Sequence, residues 1–287
     1  MMSEKVLIAC DSTADLGPEL ISKYGIQILP LGVTLGEKEY TDGVDIDPDF
    51  IYDYYEKNKV LPKTSAINIG DYEDFFKKYT DEGYSIVFFT ISAKMSSTNQ
   101  NGKVAAEDFE NVYVVDTQNL STGGGLVVLS AAEMAQEGKS AKEIVAKCEE
   151  LIPCVDASFV IDNLEFLHKG GRCSALAAFG ANLLHLKPCI SVRNGSMGVT
   201  KKYRGKYAEV LKKYVADQIG DASDIELDHV FVTHAGCDPE IYSACVDAVK
   251  SLAPFKEVHL TRAGCTVSSH CGRNTLGVLF IRKHPVG

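Results

Sequence analysis

Hydroxyl side chains are concentrated in three short segments of the sequence. These are KTSAIN (63–68), TISAKMSSTNQN (90–101) and VDTQNLSTGGG (115–125). The last two run from the end of a predicted strand into the start of a predicted helix, and the first precedes a helix. In a parallel sheet the C-terminal ends of the strands and the N-termini of the following helices lie along one edge. Free backbone N–H groups and neutral hydroxyls at that edge favour the binding of an anion. Helix capping also explains each segment taken alone.

A hydrolytic triad is one chemistry that these segments could supply. Ser96, Asp116 and His270 have the residue types of a serine hydrolase or thioesterase acting on acyl esters. However, no G-x-S-x-G turn surrounds Ser96, and nothing in the sequence brings the three residues together. We therefore predict no catalytic residue and a protein that is not an enzyme.

A phosphotransfer subunit is a second alternative. Asp11, Asp15, Asp42 and Asp45 form an acidic cluster near predicted turns, which could hold Mg²⁺. Gly123–Gly125 is too short for a phosphate-binding loop and lacks its lysine. Roles as caps and turn residues therefore explain the four aspartates better.

Metal and cofactor binding are not predicted. The nine cysteines include no CxxC pair, and the Cys265, His270 and Cys271 spacing fits no standard zinc pattern. Without a signal peptide the thiols are expected to be reduced, because the apolar run Val6–Cys10 is too short for a signal-peptide core. The predicted location is the cytoplasm.

Charge and hydropathy exclude further classes. The 287-residue chain has a formal net charge of −10 and no basic run. Nucleic acids and anionic membrane surfaces are therefore poor partners. No apolar stretch approaches the ~18 residues of a membrane span. Any lipid is expected to be bound inside a pocket.

The first half of the chain alternates predicted strands and helices, which favours a parallel sheet covered by helices. Predicted strands include Ile26–Leu35 as one continuous element. The second half combines α/β units with a hairpin at Asn194-Gly195, a favoured two-residue turn. The sequence therefore predicts an α/β protein with two domains. Residues 1–155 form an α/β/α domain with a parallel sheet, and residues 156–287 form a smaller α/β domain with a mixed sheet.

An apolar helix is predicted over Ser174–Leu186. It is apolar on nearly every face, so it is either buried between the domains or forms a wall of a hydrocarbon pocket. Arg172 precedes it in HKGGR, where the helix dipole disfavours a cation and an acidic partner or ligand is favoured. Arg204 is a second candidate for such a role. His270 is predicted to lie in a loop, where a ligand contact is plausible.

The order and spacing of several motifs resemble the DegV family of fatty-acid-binding proteins over nearly the whole chain. The motifs are CDSTADL (10–16), LPLGV (29–33), YTDGVDI (40–46), KTSAIN, ISAKMSSTNQ, VDTQNLSTGGG and LEFLHKGGR (164–172). The resemblance implies the two-domain fold described above, with a long-chain fatty acid between the domains. It also implies delivery of that fatty acid to a separate fatty acid kinase, which makes the acyl phosphate for lipid synthesis.

The resemblance also implies a set of ligand residues. Thr64, with Ser65 beside it, and Ser96 bind the carboxylate, and His270 is a third contact or a gate. Arg172 and Arg204 match positions that could dock the kinase, and no cofactor beyond the fatty acid is implied.

Two residues depart from the family pattern. Ser97 replaces a glycine and is expected to make the turn less open. Arg273 stands where proline is usual, since the family's His-x-Gly-Pro-Gly is His270-Cys271-Gly272-Arg273-Asn274 here, and it could alter head-group contacts or docking.

Overall fold

The structure is a computed structural model that describes residues 4–173 and 186–286. Its strands are β1 (Val6–Asp11), β2 (Gln27–Leu29), β3 (Gly32–Leu35), β4 (Lys38–Thr41), β5 (Lys63–Ser65), β6 (Ser85–Thr90), β7 (Val112–Asp116), β8 (Val155–Ile161), β9 (Leu186–Arg193), β10 (Ser196–Arg204), β11 (Ile225–Ala235), β12 (Glu257–Arg262) and β13 (Thr275–Arg282). Its helices are α1 (Pro18–Tyr24), α2 (Pro48–Asn58), α3 (Ile69–Asp81), α4 (Thr98–Ala106), α5 (Ser121–Gln136), α6 (Ala141–Leu151), α7 (Glu165–Gly170), α8 (Tyr207–Ile219), α9 (Pro239–Leu252) and α10 (Cys265–Cys271).

A parallel sheet of order β2-β1-β6-β7 forms the centre of the N-terminal half. Alternate side chains of its central strands enter two different cores, as the two-residue period of a strand requires. Leu7 and Phe88 pack with α3 on one face, whereas Ile8 and Phe89 pack with α5 on the other. Helices on both faces confirm the predicted α/β/α layering.

A six-stranded sheet of order β10-β9-β8-β13-β11-β12 forms the second half. Only the β11–β12 pair is parallel, so the sheet is mixed, as predicted. Its outer face is covered by α8 and α9 through residues such as Leu211 and Val249. Its inner face shares a core with α5 through Phe231 and Leu279. The predicted division at residues 155 and 156 falls at the start of β8 and stays a prediction.

Helix α5 therefore lies between the two sheets. Leu126–Leu129, Ala131 and Ala132 are all buried, so the helix has no wide polar face. Such a composition is typical of a helix surrounded by protein. The cavity described below lies beyond its N-terminal end.

A small antiparallel sheet of order β4-β3-β5 corrects one prediction. Residues 26–35 do not form one strand. β2 pairs with β1 in the parallel sheet, whereas β3 pairs with β4 and β5. Pro30 lies between the two strands, and its missing N–H is compatible with the change of partner. The third strand, β5, carries the first hydroxyl segment.

The turn at Asn194-Gly195 confirms the predicted hairpin. Both residues have positive φ, at 49° and 78°, which a two-residue turn of type I′ requires. Residues 174–185 of the predicted apolar helix lie outside the described ranges, and Leu186 already belongs to β9. None of the helices in the described ranges is long and apolar enough to cross a membrane.

Candidate functional site

Thr64 enters the site from strand β5. The strand pairs with β3, with Val33 opposite Thr64. Thr64 is half-buried, and its Oγ1 lies 2.8 Å from Nε2 of His270. Ser65 is the next residue along the strand, so its side chain points to the opposite face and lies against Gly32. Thr64 is therefore the better placed of the two hydroxyls.

Ser96 lies in the turn between β6 and α4. Its backbone N–H donates to the carbonyl of Ser92 at 3.2 Å. Its Oγ is 2.9 Å from Oγ1 of Thr98 and accepts from the Thr98 N–H at 3.2 Å. The hydroxyl thus supports the start of α4 and remains half-buried. Ser97 has φ −75°, an ordinary value that needs no glycine.

The third hydroxyl segment holds the fold together instead of lining the same cavity. Thr117 Oγ1 donates to the Thr90 carbonyl at 2.8 Å, and Ser121 Oγ donates to Asp15 at 2.5 Å. From this segment only Leu120 reaches the cavity that Thr64 lines. The expectation that all three segments meet at one site is therefore correct for the first two.

Helix α10 places His270, which corrects the prediction of a loop. The helix lies between Gly264 and Gly272, and His270 is in its last turn. The Cys265 and Thr266 amides donate to the Asp42 carboxylate at 2.8 and 3.0 Å. Carboxylate acceptors satisfy the free amides of a helix N-terminus and favour its dipole.

Asp15 holds the same end of α10. Its Oδ1 accepts from the Gly264 amide at 2.7 Å, and its other oxygen accepts from Ser121. Burial raises the pKa of Asp15 to about 8, although these two hydrogen bonds oppose the shift. Two aspartates from the first part of the chain thus fix a helix near residue 265.

The surroundings of His270 keep its ring neutral. Burial, with a smaller contribution from the Arg172 charge, lowers the pKa of His270 to about 4. Nδ1 of His270 is buried and has no hydrogen-bond partner among the described residues. A Cβ added at Gly170 would lie 2.6 Å from this nitrogen, so the ring packs directly on the glycine.

These residues line one cavity of about 230 Å³, which we call the Thr64 cavity. Its polar lining residues include Thr64, Ser96 and His270, and more than half of its lining side chains are apolar. The lining consists of Leu31, Thr64, Ser65, Ala66, Ile91, Met95, Ser96, Ser97, Leu120, Leu167, Arg172, Met197, Thr266, Val267, His270 and Cys271. Thr64, Ser65, Ser96 and His270 thus all belong to the lining of one cavity, with the Ser65 hydroxyl turned toward Gly32. Their role in binding stays a prediction.

The three arginines singled out by sequence occupy different places. Arg172 is exposed, lines the Thr64 cavity and donates from Nη1 to the Gly170 carbonyl at 2.9 Å. Arg204 is exposed at the end of β10 and does not line the cavity. The guanidinium of Arg273 lies 5.2 Å from the centre of the Tyr52 ring, also outside the lining. Docking through Arg172 and Arg204 stays a prediction.

The hydrogen bonds do not assemble a hydrolytic triad. Ser96 Oγ bonds with Thr98, and His270 Nε2 bonds with Thr64. Asp116 accepts from the amides of Ala93 and Gln118. The base, nucleophile and orienting carboxylate of a triad must contact one another in turn.

The four aspartates considered for Mg²⁺ bind groups of the protein itself. Asp11 accepts from the Thr13 and Ile91 amides at 2.9 and 2.7 Å, and Asp45 accepts from the Thr41 amide at 2.6 Å. Asp15 and Asp42 bind the start of α10, as described. Structural roles therefore account for all four carboxylates.

The structure adds Thr266 to the lining of the cavity, a residue that the sequence analysis did not predict. Its Oγ1 is buried and has no hydrogen-bond partner among the described residues. The hydroxyl-rich run CTVSSH before His270 is the signal that could have identified it. Asp42 was considered only as a turn residue or a Mg²⁺ ligand. Its contact with α10 depends on the tertiary fold.

Comparison with known proteins agrees with this architecture. The DegV family model, described as an uncharacterised protein family, matches residues 5–283. The chain belongs to the DegV family. A DegV domain-containing protein of Clostridium acetobutylicum is 34% identical over 283 residues, which cover 98% of this chain and 100% of the relative. The resemblance stated from the motifs is thus confirmed.

Two solved DegV-like structures extend the comparison. A DegV family protein from Thermus thermophilus, described for its fatty acid binding, superposes with a TM-score of 0.90 at 28% identity. The match covers 97% of this chain and 99% of that one. A stearic acid-binding protein from Eubacterium ventriosum has a TM-score of 0.83 and 28% identity, covering 96% and 98% of the two chains. The DegV fold of this chain is therefore established.

Proposed function

We propose that this chain binds a long-chain fatty acid between its two sheets and holds the carboxylate in the Thr64 cavity. The observation that carries the proposal is that Thr64, Ser96 and His270 line one cavity whose other lining side chains are mostly apolar. Fatty acid binding by DegV relatives of 28% identity supports the same ligand class.

The tautomer of His270 explains how Thr64 can serve a carboxylate. Nδ1 lacks a partner, and an unpaired acceptor costs less than an unpaired donor at a buried site. The proton is therefore assigned to Nε2, which donates to Thr64 Oγ1. That leaves the Thr64 hydroxyl free to donate to the ligand. Two neutral hydroxyl donors satisfy a buried carboxylate, which would be costly without partners.

The hydrocarbon chain is proposed to continue into a second, smaller cavity. This space of about 30 Å³ shares Leu120, Val267 and Cys271 with the Thr64 cavity. Its further lining includes Phe159 and Leu279 from the inner face of the six-stranded sheet. Burying about 15 methylenes contributes on the order of 12 kcal/mol, and lost motion offsets several of these. Micromolar or tighter binding is the expected result.

Delivery to a separate fatty acid kinase completes the proposal. Non-covalent binding through neutral hydroxyls permits release of the carboxylate for acyl phosphate formation by that kinase. The exposed Arg172 at the cavity supplies a positive charge where the partner would approach. The chain itself then acts as a carrier and contributes no catalytic residue.

Native mass spectrometry of the expressed protein tests the proposal. We expect a copurified long-chain fatty acid in the wild type. The Thr64→Val/Ser96→Ala double variant should lose most of this occupancy while keeping the circular dichroism spectrum of the wild type. An empty wild type that also fails to bind added palmitate would contradict the proposal, as would full occupancy in the double variant.

A further inference from the structure

A second group of ligand-type side chains lies on the edge of the six-stranded sheet, outside the Thr64 cavity. In the parallel pair β11–β12, His229 is opposite Glu257 and Phe231 is opposite His259. Because side chains alternate along a strand, all four project from the same face. Phe231 belongs to the core shared with α5, so this face is the one toward α5.

Three ligand atoms converge there at distances suited to one cation. Nδ1 of His229 and Nε2 of His259 are 3.1 Å apart. Oε2 of Glu257 lies 3.5 Å from that His259 nitrogen and 3.9 Å from the His229 nitrogen. Zinc–nitrogen bonds of 2.0–2.1 Å in a tetrahedron place neighbouring ligands about 3.3 Å apart. The observed triangle thus needs only sub-ångström adjustments.

We propose that His229, His259 and Glu257 bind a divalent cation of the zinc class. Two imidazoles and a carboxylate are a ligand set that zinc accepts, with one position left for water. The site is accessible, because the Glu257 side chain is 45% exposed while His229 and His259 are 11% and 14% exposed. This departs from the sequence-based prediction, which considered only the cysteines and the Cys265, His270 and Cys271 spacing.

Glu133 on α5 supplies the supporting contact that such a site needs. Its Oε1 lies 3.0 Å from Nε2 of His229 and 3.1 Å from the Tyr24 hydroxyl, which donates to it. A histidine that donates one ring N–H to a carboxylate presents the other nitrogen as a lone pair toward the metal. Glu133 therefore fixes His229 in the tautomer that a cation requires.

The remaining ligands are also held in place. The His259 ring stacks on Phe231 with ring centres 4.6 Å apart. Lys23 lies 3.9 Å from Oε1 of Glu257, the oxygen that does not face the histidines. A bound cation would join the edge strand β12 to β11 and, through Glu133, to α5. The expected consequence is a metal-dependent increase in stability.

Zinc titration of the full-length protein tests the site. Isothermal titration calorimetry follows EDTA treatment and dialysis, in a Cys154→Ser background that removes the cysteine that is not buried. We expect one equivalent of Zn²⁺ to bind and the melting temperature to rise. His259→Ala should weaken binding more than tenfold, and Glu133→Gln should weaken it by about 10–100-fold. Co²⁺ should give the visible absorption of a tetrahedral complex.

Two variants keep the test decisive. Glu257→Gln replaces a largely exposed side chain, so it should fold normally and still weaken Zn²⁺ binding. His284→Ala replaces an exposed histidine outside the cluster and should leave Zn²⁺ binding unchanged. Equal Zn²⁺ affinity in the His259→Ala, Glu257→Gln and His284→Ala proteins would overturn the proposal, as would the absence of binding to the parent protein.

Discussion

The Thr64 hydroxyl lies 2.8 Å from Nε2 of His270 and joins a short strand in the first quarter of the chain to a helix near residue 270. The two residues come from different parts of the fold, yet both line the Thr64 cavity. In the proposed tautomer, Nε2 of His270 donates to the Thr64 oxygen and so orients the hydroxyl. The predictions below depend on this pair and on the groups that hold it.

Removal of the Thr64 hydroxyl should weaken fatty acid binding. Thr64→Val keeps the side-chain shape but removes the proposed donor to the carboxylate and leaves His270 without its partner. Loss of a hydrogen bond to a charged group costs about 1.5–3 kcal/mol, so the Kd for palmitate should rise at least tenfold. Competition with a fluorescent fatty acid measures the change.

Ser65→Ala is the matched control for this variant. The Ser65 hydroxyl lies against Gly32, on the opposite face of β5 from His270. A change in Kd of less than about threefold is therefore expected, since the proposed contacts of the head group are with Thr64 and Ser96. Equal losses of palmitate affinity in the Thr64→Val and Ser65→Ala variants would contradict the proposed contact between the carboxylate and Thr64.

Enlarging Gly170 should disturb the site without removing any polar group. A Cβ at this position would meet His270 Nδ1 at 2.6 Å, so Gly170→Ala must displace the ring. We expect several-fold weaker palmitate binding in the same competition assay. Gly198→Ala is the control, because a Cβ there meets nothing within 4 Å. Unchanged affinity in Gly170→Ala would mean that the position of His270 does not matter.

Acid should destabilise the wild type more than a His270→Gln variant. The pKa of His270 is lowered to about 4 in the folded protein, against about 6.5 when unfolded. The contribution of the neutral His270 ring to the free energy of unfolding is fully present above pH 6.5 and declines as the pH falls toward 4. When the pH falls from 7 to 5, the free energy of unfolding of the wild type should drop by about 1–2 kcal/mol more than that of the variant. Urea unfolding at each pH measures the difference.

Substitution of the exposed His168 provides the control for that experiment. His168→Gln lies on α7 and should follow the wild type at each pH. If His270→Gln showed the same acid sensitivity as His168→Gln, the buried and neutral state of His270 would be refuted.

Asp15 should produce a pH dependence of the opposite sign. Its pKa is raised to about 8 in the folded protein, against about 3.9 when unfolded. The folded state therefore binds more protons between these values, and stability falls as pH rises through this window. From pH 5 to pH 7 the free energy of unfolding of the wild type should fall by about 2–3 kcal/mol relative to Asp15→Asn. Urea unfolding at each pH measures this difference, and Asp53→Asn, at an exposed aspartate, is the control. If the stability of the wild type and that of Asp15→Asn changed with pH in the same way, the assignment of Asp15 as a buried acid would be disproved.

Elements with strong periodicity were predictable from the sequence. The sequence predicts helices over Tyr207–Ile219 and Pro239–Leu252 and a strand over Thr275–Arg282, and α8, α9 and β13 have these bounds. Apolar spacing and a proline at the start of α9 define them locally. Helix α6 was missed although Ser140 and Glu143 form a capping box. Its N-terminal signal was therefore present in the sequence.

The site was less predictable, because its parts meet only in the tertiary fold. Helix α10 has seven residues and several hydroxyl side chains, so it has little helical signal of its own. Two remote aspartates stabilise it. The register that places His229 beside Glu257 likewise depends on pairing between strands about 30 residues apart. The hydroxyl segments indicated a possible anion site, but Thr64 and Ser96 were identified as carboxylate ligands only through the family resemblance.

The attachment of α10 to Asp15, Asp42 and Thr64 has a consequence for biosynthesis. A ribosome makes the β1–β7 region long before residues 264–271, so a nascent chain can form the parallel sheet early. During that interval the Asp15 and Asp42 carboxylates lack the amides that later bind them, and one wall of the cavity is missing. Under the proposed function, fatty acid binding must therefore wait until α10 has been made and has folded against these residues.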